Sequence, residues 1–303
     1  MNSLSPIKIT KDQIRAVFES RDLAESTIKE YSRKVIPFIV YSENNGLNLM
    51  NYKRELAKRT DIADSTKQGY LASAKVFLTQ LNKKGKIPDI ASDVKLFKES
   101  KGHKRDGLSA DDVKKIVAYM AQLEPSPETA RFKALFCLEY YQGLRNVEIY
   151  RLKISDLNLN EGTALVERKG QQNKELIFLH PNTVKSLKLY LGYVGVKSGA
   201  VFVSFSTNDS KGKSLSQKSL YNIIADVLKE LGIARKDIPG KRYNKSPHGF
   251  RHRYTTKLLD ILNDPLKVMQ FTGHRSVETI RKYDDRRIHK QDLKVVFEEF
   301  NKI

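Results

Sequence analysis

Three things are scarce in this 303-residue chain: cysteine, long apolar runs and acidic residues. Cys137 is the only cysteine, set in the apolar run ALFCLEYY. No disulfide can form within one chain, and a cysteine-built metal cage is excluded. Cys137 itself reads as a small core residue. No stretch reaches the ~18 apolar residues that a membrane-spanning helix needs. The opening residues, MNSLSPIKIT, carry neither a basic nor an apolar leader segment. No export is expected, and the chain reads as soluble and cytoplasmic.

The acid deficit is the most informative of the three. Only 35 Asp and Glu face 55 Lys and Arg, for a net charge of +20. Such an excess suits a polyanionic partner, because each neutralised phosphate releases counterions. An anionic membrane surface would require a basic amphipathic helix or a lipidation signal, and neither stands out. Nucleic acid is the expected partner.

The length suggests two domains, each able to bury a core. Residues 10–100 read as about four helices with no period-two pattern. Ile28, Tyr31, Val35, Phe38 and Ile39 share one face of a helix expected to start at a Ser/Thr cap (Ser26 or Thr27). Tyr70, Leu71, Ala74, Phe77, Leu78 and Leu81 repeat the design in a helix that stops at Gly85. The stretch KESKGHKRDG at 98–107 is polar, basic and glycine-containing, so the boundary is placed there, with a basic linker over 101–107.

Beyond it, Ser109 and Asp112 form a capping box, and Ser126 with Pro127 opens a second helix. GTALVERKGQQNKELIFLH is two short β-type runs around a turn, which predicts a hairpin with Lys169 at or near its tip. Further helices are expected after Ser214 or Ser216, after Pro247, after Asp264–Pro265 and in SVETIRKYDD. Leu293, Val296, Phe297 and Phe300 form an apolar stripe near the C-terminus, suited to docking in cis or on a neighbour. The second domain is therefore mostly helical with one small antiparallel sheet.

Chemistry concentrates first in SPHGFRHR, residues 246–253. His248 and His252 share the spacing of two zinc ligands on a helix, but Gly249 stands where the zinc-protease pattern needs Glu. With Arg251 alongside and no third ligand, a metal site is not expected. A guanidinium matches phosphate oxygens in two-point geometry, and a histidine beside it can move a proton. The surrounding run 235–253 holds seven Lys/Arg and one acid, including Lys241, Arg242 and Lys245. Taken alone, it reads better as a DNA-binding patch than as a catalytic pocket.

Three other places alter that balance. Arg145 stands at a helix junction in GLRNVE with Glu148 one turn on, Lys169 lies on the hairpin, and TGH at 272–274 precedes Tyr283. Together, Arg145, Lys169, the HGFRH box (248–252), His274 and Tyr283 resemble the active-site set of the tyrosine recombinase family, which includes lambda integrase, Cre and the Xer proteins. The order matches, and so do the intervals of 24 from Arg145 to Lys169, 3 across the box, 23 from Arg251 to His274 and 9 to Tyr283. The resemblance covers 108–303; HGFRH departs from the frequent HTLRH, and FTGH from LLGH, without touching a chemical group.

The resemblance implies the tyrosine recombinase fold: an N-terminal helical, SAM-like core-binding domain over 1–100 and an α-rich catalytic domain over 108–303. It implies that Tyr283 attacks a DNA phosphodiester, that Arg145 and Arg251 clamp the phosphate, and that His248 accepts the tyrosine proton. Lys169 would protonate the leaving oxygen, His274 would assist at the phosphate, and Glu148 and His252 would support. Lys101, Lys104, Arg105, Lys241, Arg242 and Lys245 are the expected DNA-backbone contacts. No metal, ATP or other cofactor is called for, and four copies on two duplexes are the expected assembly. A type IB topoisomerase-like relaxing enzyme and a non-catalytic DNA-binding regulator are the competing readings.

Overall fold

A computed structural model describes residues 10–21, 23–98, 107–171, 173–195, 197–206, 211–236 and 243–281. The chain divides into two compact units, Met1–Lys101 and Gly102–Ile303. No helix among the described residues is long and apolar enough to cross a membrane.

The first unit is built from α1 (Lys11–Glu19), α2 (Glu25–Asn45), α3 (Leu49–Lys58) and α4 (Asp64–Lys83). α1 opens with a capping box between Thr10 and Gln13. The predicted stripes face one another: Ile28, Val35, Phe38 and Ile39 from α2 pack with Leu71, Ala74, Phe77 and Leu78 from α4. Tyr31 and Tyr70 lie half-buried at the margin, with the Tyr31 ring 5.5 Å from Phe18. The starts of the two long helices differ from expectation. α2 begins after Ala24 and α4 after Ala63, neither with a side-chain cap. Burial of their apolar faces stabilises these helices without the ~1 kcal/mol of a cap.

The second unit opens with α5 (Ala110–Gln122), where Ser109 and Asp112 complete the capping box. α6 (Pro127–Tyr140) follows, capped by Ser126 with Pro127 in its first turn. α6 is the central helix, apolar nearly all round, and it packs against α8, α9 and α10. α7 (Asn146–Arg151) leads to a three-stranded antiparallel sheet: β1 (Leu157–Asn158), β2 (Thr163–Glu167) and β3 (Lys174–Phe178). The predicted hairpin is β2–β3, in register from Thr163 opposite Phe178 to Glu167 opposite Lys174. β1 adds a third strand too short, at two residues, to show a period.

Residues 181–194, unassigned from periodicity, form α8 (Pro181–Val194), capped by His180. Then come α9 (Gln217–Glu230, capped by Ser216), α10 (His248–Leu262), α11 (Pro265–Thr272, capped by Asp264) and α12 (Val277–Arg281). The architecture is mainly helical with a small antiparallel sheet, as the sequence predicts.

One core residue does not fit its surroundings. Glu139 on α6 is buried, and its Oε2 meets no hydrogen-bond partner among the described residues. Burial raises its pKa well above the ordinary carboxylate range. The native state therefore keeps this proton to a higher pH than the unfolded chain does. Its contribution to stability is fully present below about pH 4.3 and is lost as pH rises through the folded-state pKa. Glu139→Met keeps the length and removes the charge. We expect it to raise the thermal midpoint at pH 8 by several degrees, at roughly 2–4 °C per kcal/mol for a unit of this size. Parallel pH–stability profiles for the two proteins would show that Glu139 is not a buried neutral acid.

Candidate active site

The site grows from the turn that ends α6. Gly143 has φ of 59°, and a Cβ there would lie 2.2 Å from the Tyr254 ring on α10, so the position needs glycine on both counts. The turn delivers Arg145 to the start of α7. Glu148, three residues on, reaches back as in a capping box: Oε2 accepts from the Arg145 backbone N–H at 2.9 Å, and Oε1 from Arg145 Nη1 at 2.7 Å. Local helix geometry thus fixes both side chains.

Glu148 is fully buried and gathers more than its neighbour. Its Oε1 accepts from the Lys169 backbone N–H at 3.4 Å, while Arg168 Nη1 stands 3.6 Å and Arg251 Nη1 3.9 Å from Oε2. Burial opposes the charge of Glu148. The Arg145 amide and the Arg251 and Arg145 guanidiniums outweigh it and hold the carboxyl below its usual range. One carboxylate therefore organises three guanidiniums and the backbone of the hairpin turn.

In that turn Gln171 N–H donates to Arg168 O at 3.0 Å, and Gly170 has φ of 79°, as a type II turn requires at its third position. Lys169 occupies the second position and is exposed. Its expected place at the hairpin tip is where it lies.

Arg251 sits one turn into α10, about 1% exposed. It donates from Nη1 to Gly143 O at 2.8 Å and from Nη2 to Thr272 O, and its Nη2 lies 3.2 Å from His274 Nε2. The Thr272 hydroxyl donates to Val268 O at 2.8 Å and lies 2.7 Å from His274 Nδ1. Its single hydrogen serves Val268, which makes Nδ1 the donor to Thr272 and leaves Nε2 to accept from Arg251. Burial, then Arg251, Arg145, His248 and Arg168, push the His274 pKa down to about 3. His274 is a neutral imidazole in a strongly positive field. His248, at the first position of α10, is exposed and close enough to contribute to that field.

The structure thus brings Arg145, Arg251 and the Lys169 backbone to the Glu148 carboxylate, with His274 on Arg251 and His248 within electrostatic reach of His274. Tyr283 lies outside the described residues, as do Lys101, Lys104, Arg105, Lys241, Arg242 and the stripe Leu293, Val296, Phe297 and Phe300. His252 and Lys245 have partners of their own away from Glu148. His252 does not share the Arg251 side: its Nδ1 lies 3.4 Å from Thr256 Oγ1, and the ring closes on Gly107, where a Cβ would come within 2.5 Å. Adjacent helical residues diverge by about 100°, so His252 braces the entry to the second unit while Arg251 faces the site. Lys245 is held by Asp112 at 2.5 Å, half-buried on the α5 capping box, and not displayed as a surface cation. No cluster of His, Cys, Asp and Glu fit to hold a metal occurs among the described residues.

Arg168 is a site residue that the motifs miss. Its signal was parity: it follows Ala164 and Val166 at alternate positions on the inward face of β2, so its charge had to be buried.

Comparisons with known proteins bear on the family and the fold. Residues 107–289 match the sequence profile of the phage integrase family. The tyrosine recombinase XerD of Listeria monocytogenes serotype 4b is 27% identical over 97% of this chain and 98% of its own length. XerC of Lactobacillus delbrueckii is 24% identical over 75% of this chain and 74% of its own. Among solved structures, the XerH recombinase bound to difH in a post-cleavage complex superposes with a TM-score of 0.70 at 21% identity, covering 97% of this chain and 86% of that one. A lambda integrase dimer bound to a COC′ core site gives 0.64 at 18% identity, covering 92% and 95%. At these identities the structures establish a shared fold.

Proposed function

This chain belongs to the phage integrase family of tyrosine recombinases, and on that premise we propose that it is a site-specific recombinase. It cuts and rejoins DNA strands through a covalent 3′-phosphotyrosyl intermediate on Tyr283. The observation that carries the reading is that Arg145, Arg251 and the Lys169 hairpin meet on buried Glu148, with His274 joined to them through Arg251.

Each group answers a requirement of the chemistry. A tyrosine hydroxyl, with an ordinary pKa near ~10, must lose its proton as it attacks phosphorus. His248 is the acceptor, exposed at the mouth of the site. Charge gathers on the two non-bridging oxygens, where Arg145 and Arg251 supply permanent positive charge; each such donor contributes on the order of 10²–10³ in rate. Burial depresses His274 first, and the arginines that add to the depression are the ones that attract the phosphate. A phosphate anion that offsets the arginines restores part of the imidazole's basicity; Nε2 then releases Arg251 Nη2, takes a proton and donates to a phosphate oxygen. The exposed Lys169 protonates the departing 5′-oxygen.

The ester bond to Tyr283 conserves the energy of the phosphodiester, so the 5′-hydroxyl of a second strand reverses the step without ATP. Four copies on two duplexes carry out two such rounds through a Holliday junction. The N-terminal unit, the linker residues Lys101, Lys104 and Arg105, and Lys241 and Arg242 hold the DNA backbone. The reaction belongs in the cytoplasm, on the DNA of a bacterial nucleoid, consistent with the bacterial relatives.

The test uses target duplexes recovered from genomic fragments by selection for covalent protein–DNA adducts. Two differently labelled duplexes are incubated together with the protein. Products joined between the two labels are expected; relaxation of supercoils with no intermolecular product would mark a topoisomerase instead.

A further inference from the structure

Arg168 and Arg275 tie the hairpin that carries Lys169 to the turn that carries His274, and they do so from opposite sides. Arg168, about 1% exposed, donates from Nε and Nη2 to the two carboxylate oxygens of Glu175 on β3, at 3.0 and 3.2 Å. Its Nη2 also reaches Phe271 O, in the last turn of α11, at 3.3 Å. In return, Arg275 donates from Nη2 to Gly170 O in the hairpin turn. The residues on either side of Lys169 are thus bound to residues on either side of His274.

The turn closes directly on the guanidinium. Gly273 has φ of 62°, and a Cβ there would lie 2.8 Å from Arg168 Nε. With its fork on Glu175 and its Nη2 on Phe271, Arg168 bonds the hairpin to α11. What it can determine is where the Lys169 backbone lies, since the Lys169 N–H is the next bond along, to Glu148 Oε1.

We propose that Arg168 and Arg275 are positioning residues: a reciprocal clasp that holds Lys169 in place for protonation of the leaving 5′-oxygen. The proposal rests on the assignment of Lys169 as the general acid, and its test separates the two ideas. A substrate with sulfur in place of the bridging 5′-oxygen expels a thiolate, whose conjugate acid has a pKa near ~8.5, so departure needs no proton from the enzyme. Loss of position alone can cost about 10²-fold in rate.

Single-turnover cleavage of nicked target duplex, with and without the 5′-sulfur, is measured for Arg168→Met, Arg275→Ala and Lys169→Ala. On the oxygen substrate we expect Arg168→Met to be slower by on the order of 10²-fold and Arg275→Ala by about tenfold, with DNA affinity unchanged. On the sulfur substrate both should recover to near the rate of the unsubstituted protein, as Lys169→Ala does. Equal impairment on both substrates, with Lys169→Ala rescued, would overturn the clasp and leave Arg168 a stabilising residue. Failure to rescue Lys169→Ala would instead overturn the general-acid assignment and the clasp's purpose with it. Arg275 is exposed, so its variant tests the clasp even if Arg168→Met does not fold.

Discussion

Arg251→Lys is expected to lose strand cleavage by 10³-fold or more, on the order of one full phosphate donor plus the displacement of its neighbours. The charge survives this substitution; the geometry does not. Arg251 faces acceptors in three directions: Gly143 O, Thr272 O and His274 Nε2. A lysine ammonium is a point donor without a planar fork, and its shorter reach cannot serve both the Gly143 turn and the Thr272–His274 turn. The first of those turns aims Arg145, so a second clamp loosens with the first. Arg251→Ala would be a poorer experiment, since buried carbonyls left without a donor each cost about 1–3 kcal/mol and blur catalysis with stability. Single-turnover cleavage, compared with DNA affinity and thermal midpoint on the same samples, separates the effects. Cleavage within tenfold of the unsubstituted protein, with affinity intact, would remove Arg251 from the transition state.

Much of this geometry was legible because it is local. The capping box at Ser109 follows from side chains three residues apart, and so does the Arg145–Glu148 pair at 2.7 Å. The apolar stripes of α2 and α4 show themselves by period, and the fold class followed from them. What was not legible depends on distant partners or on orientation. Lys245 looks like one more surface cation until Asp112, far off in sequence, is seen beside it. The motif names His252 as a support but not what it supports: one helical step from Arg251 turns its ring toward Gly107. Arg168 needed Glu175 on the next strand and Phe271 on α11 before its burial made sense. The hub role of Glu148 is likewise non-local: its pairing with Arg145 is readable, but its contacts to the hairpin and to α10 are not.

Arg145, Arg251, Lys169 and the buried His274 supply charge and proton transfer, and the reaction still needs a nucleophile for phosphorus. The second large effect is therefore expected at Tyr283: Tyr283→Phe removes only a hydroxyl and should abolish cleavage while leaving DNA binding intact, because no other step can form the ester. Incubation with a nicked target duplex, denaturing electrophoresis and peptide mapping of the trapped DNA measure this directly. The account predicts a covalent adduct through a 3′-phosphate, mapped to Tyr283 and absent from Tyr283→Phe. An adduct that persists in that variant, or DNA cleavage by the native chain with no adduct at all, would contradict it.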